Sequence, residues 1–172
     1  VLKEKGIDID KIKTMFYNIL SAKKPKKIKH PEIIEKRRRN DKIDGIIDII
    51  ESSDTNKVFD RAIAKLSTST YEILGSEQIM QSILEDTESD ASKILSNFGV
   101  TAETFSAKLK EISSRQAEFG DKQIIFTPNA LKALMIALDI VREEGSASIL
   151  PEHIVLGLLK SKKGIAYNIL KE

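Results

Sequence analysis

The chain has 172 residues, 41% apolar and 31% charged, with no cysteine, no tryptophan and a formal net charge of +2. This length supports a real hydrophobic core in one domain or two small lobes. The absence of cysteine excludes disulfides and thiol chemistry, and no apolar run approaches the length of a membrane span. The small net charge hides an asymmetry: residues 23–39 carry nine Lys or Arg against Glu32 and Glu35, so a basic tract joins mildly acidic segments. No signal peptide is readable in a chain that starts at Val1.

Taken in order, Asp8 or Asp10 caps a first helix whose Ile9, Ile12, Phe16, Ile19 and Leu20 share one face. The basic tract follows, interrupted by Pro25 and Pro31, with Pro31 placed to start a short helix through Arg39. Ile43, Ile46, Ile47 and Ile50 again fall at helical spacing, although Gly45 weakens that helix by roughly 1 kcal/mol relative to alanine. Asp54 or Thr55 caps a helix carrying Phe59, Ala62, Ile63 and Leu66, and the polar run 67–70 reads as a turn. Ser76 caps a helix to about Glu85; Glu88 to Phe98 forms another, closed by Gly99. Thr101 caps a helix bearing Phe105, Leu109 and Ile112, and 113–125 reads as a linker.

The last stretch is the most legible. Thr127-Pro128 opens a helix whose buried face is predicted from Leu131, Leu134, Met135, Leu138 and Val141 or Arg142. Gly145 ends it, Pro151 opens the next helix, and Gly164 separates that one from a third. Apart from a weak hint at 123–126, nothing alternates with a period of two, so the fold class is all-α.

This trio has an upstream copy. At an offset of 75, GSEQIMQSILEDTESDASKIL (75–95) lies on LPEHIVLGLLKSKKGIAYNIL (150–170), so that Glu77 meets Glu152, Ile79 meets Ile154, Ala91 meets Ala166, and Ile94-Leu95 meets Ile169-Leu170. The matched apolar positions predict two pseudo-twofold partners around one core. A third fragment, VLKEKGIDIDKIKTMF (1–16), resembles ILSNFGVTAETFSAKL (94–109). Residues 1–22 are therefore either the end of a preceding repeat or the missing final helix of the last one, supplied within the molecule or by exchange between copies. The resulting division is 1–22 as a repeat's terminal helix, 23–53 as basic linker, 54–115 as repeat one, 116–125 as linker and 126–172 as repeat two.

The segment FTPNALKALMIALDIVREEG followed by ILPEHIVLGLLKSKKGIAYNIL resembles the N-terminal double-repeat domain of the Clp-type AAA+ unfoldases (ClpA, ClpC and ClpB-like). The likeness covers 126–172 clearly, 54–112 moderately and 1–22 weakly. Leu150-Pro151 stands where the family has glycine-threonine, and Gln78 where the first copy would have histidine, which marks a divergent member. The resemblance implies a non-catalytic module that docks protein substrates or adaptor proteins for an ATPase ring in the same chain. In ClpC-like members the glutamate of each repeat helps to hold phosphorylated arginine tags. Carried over by position, the partner-binding residues are Glu77 and Glu152, with their neighbours Ser76 and His153. The chemistry is sound, since a guanidinium suits a carboxylate and a phosphate suits a helix N-terminus, although first-turn glutamates are favoured by the helix dipole in any protein.

Nothing in the sequence points to a metal or a bound cofactor: His30 and His153 lack cysteine company, and the acidic run from Glu85 to Asp90 lacks calcium-loop spacing. No phosphate-binding glycine loop is present, so ATP is expected only in other modules of a parent protein. The second reading is a stand-alone helical adaptor, or a protein whose basic patch of Lys23, Lys24, Lys26, Lys27, Lys29, Lys36, Arg37, Arg38 and Arg39 binds nucleic acid or an acidic surface. The patch has no aromatic residue for stacking, and its prolines fit a linker better. The expected compartment is the cytoplasm or the stroma-like interior of an organelle.

Overall fold

In the computed structural model, residues 7–23, 53–66, 73–112, 125–146 and 148–172 are described. They form eight helices: α1 (Ile9–Ala22), α2 (Ser53–Leu66), α3 (Ser76–Leu84), α4 (Asp90–Ser96), α5 (Ala102–Ile112), α6 (Pro128–Glu144), α7 (Pro151–Ser161) and α8 (Ile165–Lys171). Two-residue strands β1 (Ile73–Leu74) and β2 (Ile125–Phe126) pair in parallel, Ile73 with Ile125 and Leu74 with Phe126. The fold is all-α in class, as the periodicity predicts. The helices expected at 31–39 and 41–50, the turn at 67–70 and all of the 113–125 linker except Ile125, which belongs to β2, lie outside the described residues.

Capping chemistry explains most helix starts. Asp8, not Asp10, is the N-cap of α1, accepting from Lys11 N–H at 3.0 Å, and Ser89 and Thr127 do the same for α4 and α6. Ser76 is not the cap but the first residue of α3: the N-cap is Gly75, one residue earlier, and the side-chain oxygen of Gln78 accepts from the Gly75 N–H at 2.8 Å. Neither Asp54 nor Thr55 caps α2, which begins at Ser53 and takes both into its first turn. The acidic run contributes one short helix, α4, beginning at Asp90 rather than at Glu88.

Two further expectations are corrected. Met135 is 56% exposed and Ile112 42% exposed, so neither belongs to a buried face. The buried side of α6 keeps the predicted Leu134, Leu138 and Val141 and adds Ala130, Ala133, Ala137 and Ile140. The reason lies across the interface. Gly157 of α7 sits so close to α6 that an added Cβ would fall 2.2 Å from the carbonyl oxygen of Ala133 and 3.1 Å from the amide nitrogen of Ala137. Such an approach requires alanines on α6 and turns its broad side chains elsewhere.

The offset-75 relation holds in space. The carbonyl oxygen of Leu74 accepts from the backbone N–H of Thr127 at 2.9 Å, and that of Ile149, its counterpart, accepts from the Thr55 hydroxyl at 2.7 Å. Each repeat thus closes the other's loop with the beginning of its own first helix. Phe59 of α2 and Phe126 of β2 meet edge to face, 6.0 Å between centroids, which adds an aromatic contact between the two halves.

Helix α1 lies against α7 and α4, whereas α5 lies against α3 and α8. Under the offset, α7 and α4 are the counterparts of α3 and α8, so α1 occupies beside the second repeat the place that α5 occupies beside the first. Their starts match too: Asp8 caps α1 as Thr101 caps α5, and Ile12 and Phe105 are both fully buried. Ile12, Phe16 and Leu20 join the one hydrophobic cluster that unites all eight helices.

Candidate functional site

The two glutamates begin matched helices, α3 and α7, whose first turns are held by the same device. In α7 the Nδ1 of His153 accepts from the Leu150 N–H at 2.9 Å. In α3 the Gln78 oxygen does this job on Gly75. Histidine and glutamine are thus interchangeable here because each reaches back from the third helical position with one acceptor atom. Leu150 and Gly75 supply no polar side chain in return, so this bond secures the turn alone.

The two carboxylates stand in different surroundings. Glu77 is half-buried, accepts from the Ser76 hydroxyl at 3.2 Å and folds back over Gly75, where any Cβ would meet it at 2.5 Å. The Ser76 hydroxyl also accepts from the Ala166 N–H at 3.3 Å, which ties the start of α3 to that of α8. Glu152, by contrast, is 2% exposed. Its Oε1 receives the Lys23 ammonium at 2.7 Å, and its Oε2 is buried with no hydrogen-bond partner. Lys23 reaches on to Asp90 Oδ2 at 2.9 Å, so one ammonium from the end of α1 bridges the first turns of α7 and α4. Burial by itself would lower the Lys23 pKa, but hydrogen bonds to Glu152 and Asp90, with their charges, outweigh it and hold the ammonium above its ordinary range.

Thus the fold keeps Ser76 beside Glu77 and His153 beside Glu152, but both partners are buried and committed to helix ends. Of the basic patch, Lys23 is in the Glu152 ion pair; Lys24, Lys26, Lys27, Arg37, Arg38 and Arg39 lie outside the described residues. Asp90 is the residue that sequence reasoning missed, because an acidic run carries no sign of which member will meet a lysine 67 positions away. Among the described residues no group of acidic or histidine side chains could hold a metal ion, and no helix is long and apolar enough to cross a membrane.

His153 makes the site sensitive to acid. Its Nδ1 is occupied as an acceptor, so the ring carries its proton on Nε2, 3.0 Å from Glu144 Oε2. Burial lowers its pKa below the ordinary 6.5 and prevails over the opposing pull of Glu144 and Glu152. A second proton would place a donor on Nδ1 facing the Leu150 N–H. Because the folded pKa is the lower one, this contribution is complete above pH 6.5 and is lost as pH falls below it, by up to about 1.4 kcal/mol per pH unit. In thermal melts between pH 5 and 8, wild type should therefore lose stability relative to His153→Gln as the pH falls, since glutamine, which serves the matched turn as Gln78, does not titrate. A difference between them that does not change with pH would refute this account.

Two interleaved helical repeats, with matched helix starts and shared loop closures, define the class: an all-α double-repeat module. The family model described as the Clp repeat (R) N-terminal domain matches residues 51–172, and the chain belongs to that family, whose domain is non-catalytic. Relatives include the chloroplastic ATP-binding subunit ClpA homolog of the ATP-dependent Clp protease from Brassica napus and the chloroplastic chaperone protein ClpC1 of Arabidopsis thaliana. Each is 30% identical over 101 residues, 59% of this chain. The chain spans only 12% and 11% of the length of those two relatives. Among solved structures, the N-terminal domain of the Clp protease-associated chaperone ClpD from Arabidopsis thaliana shares the fold, with a TM-score of 0.57 at 13% identity over 72% of this chain and 84% of that one.

Proposed function

We propose that this chain is a docking module that receives protein substrates or adaptor proteins for a Clp-type ATP-dependent chaperone or protease subunit. The observation that carries the reading is the half-open Glu77 carboxylate at the start of α3, duplicated in Glu152 at the start of α7. A carboxylate beside a helix N-terminus offers an acceptor to a guanidinium and a positive dipole end to a phosphate, which together suit a phosphorylated arginine. The family membership and the relatives' printed roles as Clp protease subunits and chaperones support the same reading. Any ATPase ring would belong to other parts of the parent protein, working in the cytoplasm or in an organelle like that of the chloroplastic relatives.

The test is fluorescence anisotropy with an unstructured polypeptide bearing phosphorylated arginine, against the same polypeptide unmodified. Glu77→Gln should weaken binding of the tagged form about tenfold, the effect expected for one charge-assisted hydrogen bond. Deleting residues 24–39 should leave the affinity unchanged. Binding that instead vanishes with that deletion and collapses steeply with salt would favour the basic tract and an acidic or nucleic-acid partner.

A further inference from the structure

The two glutamates are equivalent by repeat and unequal in state, and the difference is Lys23. We propose that Lys23 is an internal ligand of the Glu152 site, which closes the second docking site while α1 is seated and leaves the first open; the inference rests on the docking reading above. Repeat one shows what the site looks like without the plug. Among the described residues no cation stands against Glu77, and the position equivalent to Asp90 is Ile165, so the first site also lacks the second carboxylate that anchors an ammonium.

The plug fits its slot incompletely. An ammonium bridging Glu152 Oε1 and Asp90 Oδ2 leaves Glu152 Oε2 buried with no donor. A guanidinium has parallel N–H groups and would satisfy both oxygens of the carboxylate at once. The slot is therefore better matched to an arginine side chain than to the lysine that fills it. The way in lies along Lys23 itself. The lysine side chain is 38% and the Asp90 side chain 45% exposed, and Lys23 is the C-cap of α1, just past the last turn. Retracting it disturbs none of Ile12, Phe16 and Leu20, which hold α1 to the body. The Lys23–Asp90 pair is open to solvent and resists competition by only about fivefold, whereas the Lys23–Glu152 pair, with the glutamate side chain 3% exposed, holds more firmly.

The probe is N-acetyl-arginine methylamide, titrated against the isotope-labelled chain while the backbone amides of Gln78 and His153 report on the two sites. In the wild type the Gln78 signal should respond at lower ligand concentration than the His153 signal. Lys23→Met should tighten the response at His153 at least fivefold and leave that at Gln78 as it was. Asp90→Asn, which loosens the plug without touching α1, should move His153 in the same direction by a smaller factor. Lys23→Arg, which supplies a guanidinium in the same chain, should close the site again. An equal response at His153 in wild type and Lys23→Met would overturn the plug. So would silence at His153 in Lys23→Met while Gln78 responds, and then the docking reading would stand. Silence at both reporters in every variant would overturn the plug together with a guanidinium ligand at either glutamate, while the phosphorylated polypeptide decides the docking reading.

Discussion

Replacing Gly157 by alanine is expected to destabilise the fold by about 2–3 kcal/mol, although alanine is the better helix former by about 1 kcal/mol. In an unconstrained helix the change would stabilise. Here the new methyl would stand 2.2 Å from the Ala133 carbonyl oxygen and 3.1 Å from the Ala133 carbonyl carbon and the Ala137 amide nitrogen. These are backbone atoms, so no side chain can swing away, and α6 and α7 must move apart along a seam that buries Ala130, Ala133, Ala137 and Leu134. Chemical denaturation decides the sign. The control is Ser82→Ala at the matched position in repeat one. The Ser82 hydroxyl is buried without a partner, so removing it should be neutral or stabilising. A Gly157→Ala protein as stable as wild type would show that the two helices do not pack this closely.

Phe16→Ala should cost about 3–5 kcal/mol, the range for truncating a buried phenylalanine. Phe16 is fully buried, and α1 contributes only two other buried residues, Ile12 and Leu20. The loss should therefore be regional. Hydrogen exchange should accelerate through α1 while α3 and α5 of the first repeat keep their protection. The partly buried Ile19 provides the comparison, and Ile19→Ala should cost clearly less. Equal costs for the two substitutions would mean that α1 is not seated as described.

Both predictions turn on features that differ in how far they could be read from the chain. The helix starts at Asp8 and Thr127 were legible because a cap is local chemistry, set by one side chain and an N–H three residues on, whereas Ser89 was hidden in an acidic run read as helical from Glu88. The duplication was legible because both copies must present the same apolar positions to one core. The face of α6 was not. Helical spacing admits Met135 as readily as Ala133, and only the glycine on the facing helix makes the small residues the inner ones. Thr55 misled for a related reason: a hydroxyl near a helix start looks like a cap, yet it serves the Ile149 carbonyl 94 residues away.

The candidate site divides in the same way. Repeat alignment alone paired Glu77 with Glu152 and Gln78 with His153, because a conserved offset carries equivalent positions into equivalent first turns. Helical spacing without period-two alternation likewise determined the all-α class. Tertiary structure decided which carboxylate meets solvent. Lys23 and Glu152 are 129 residues apart, and they meet because α1 takes the place beside the second repeat that α5 takes beside the first. Periodicity reports which side of a helix is apolar; only the packing of helices from distant parts of the chain decides which charges face one another, and so which of two identical residues is left open.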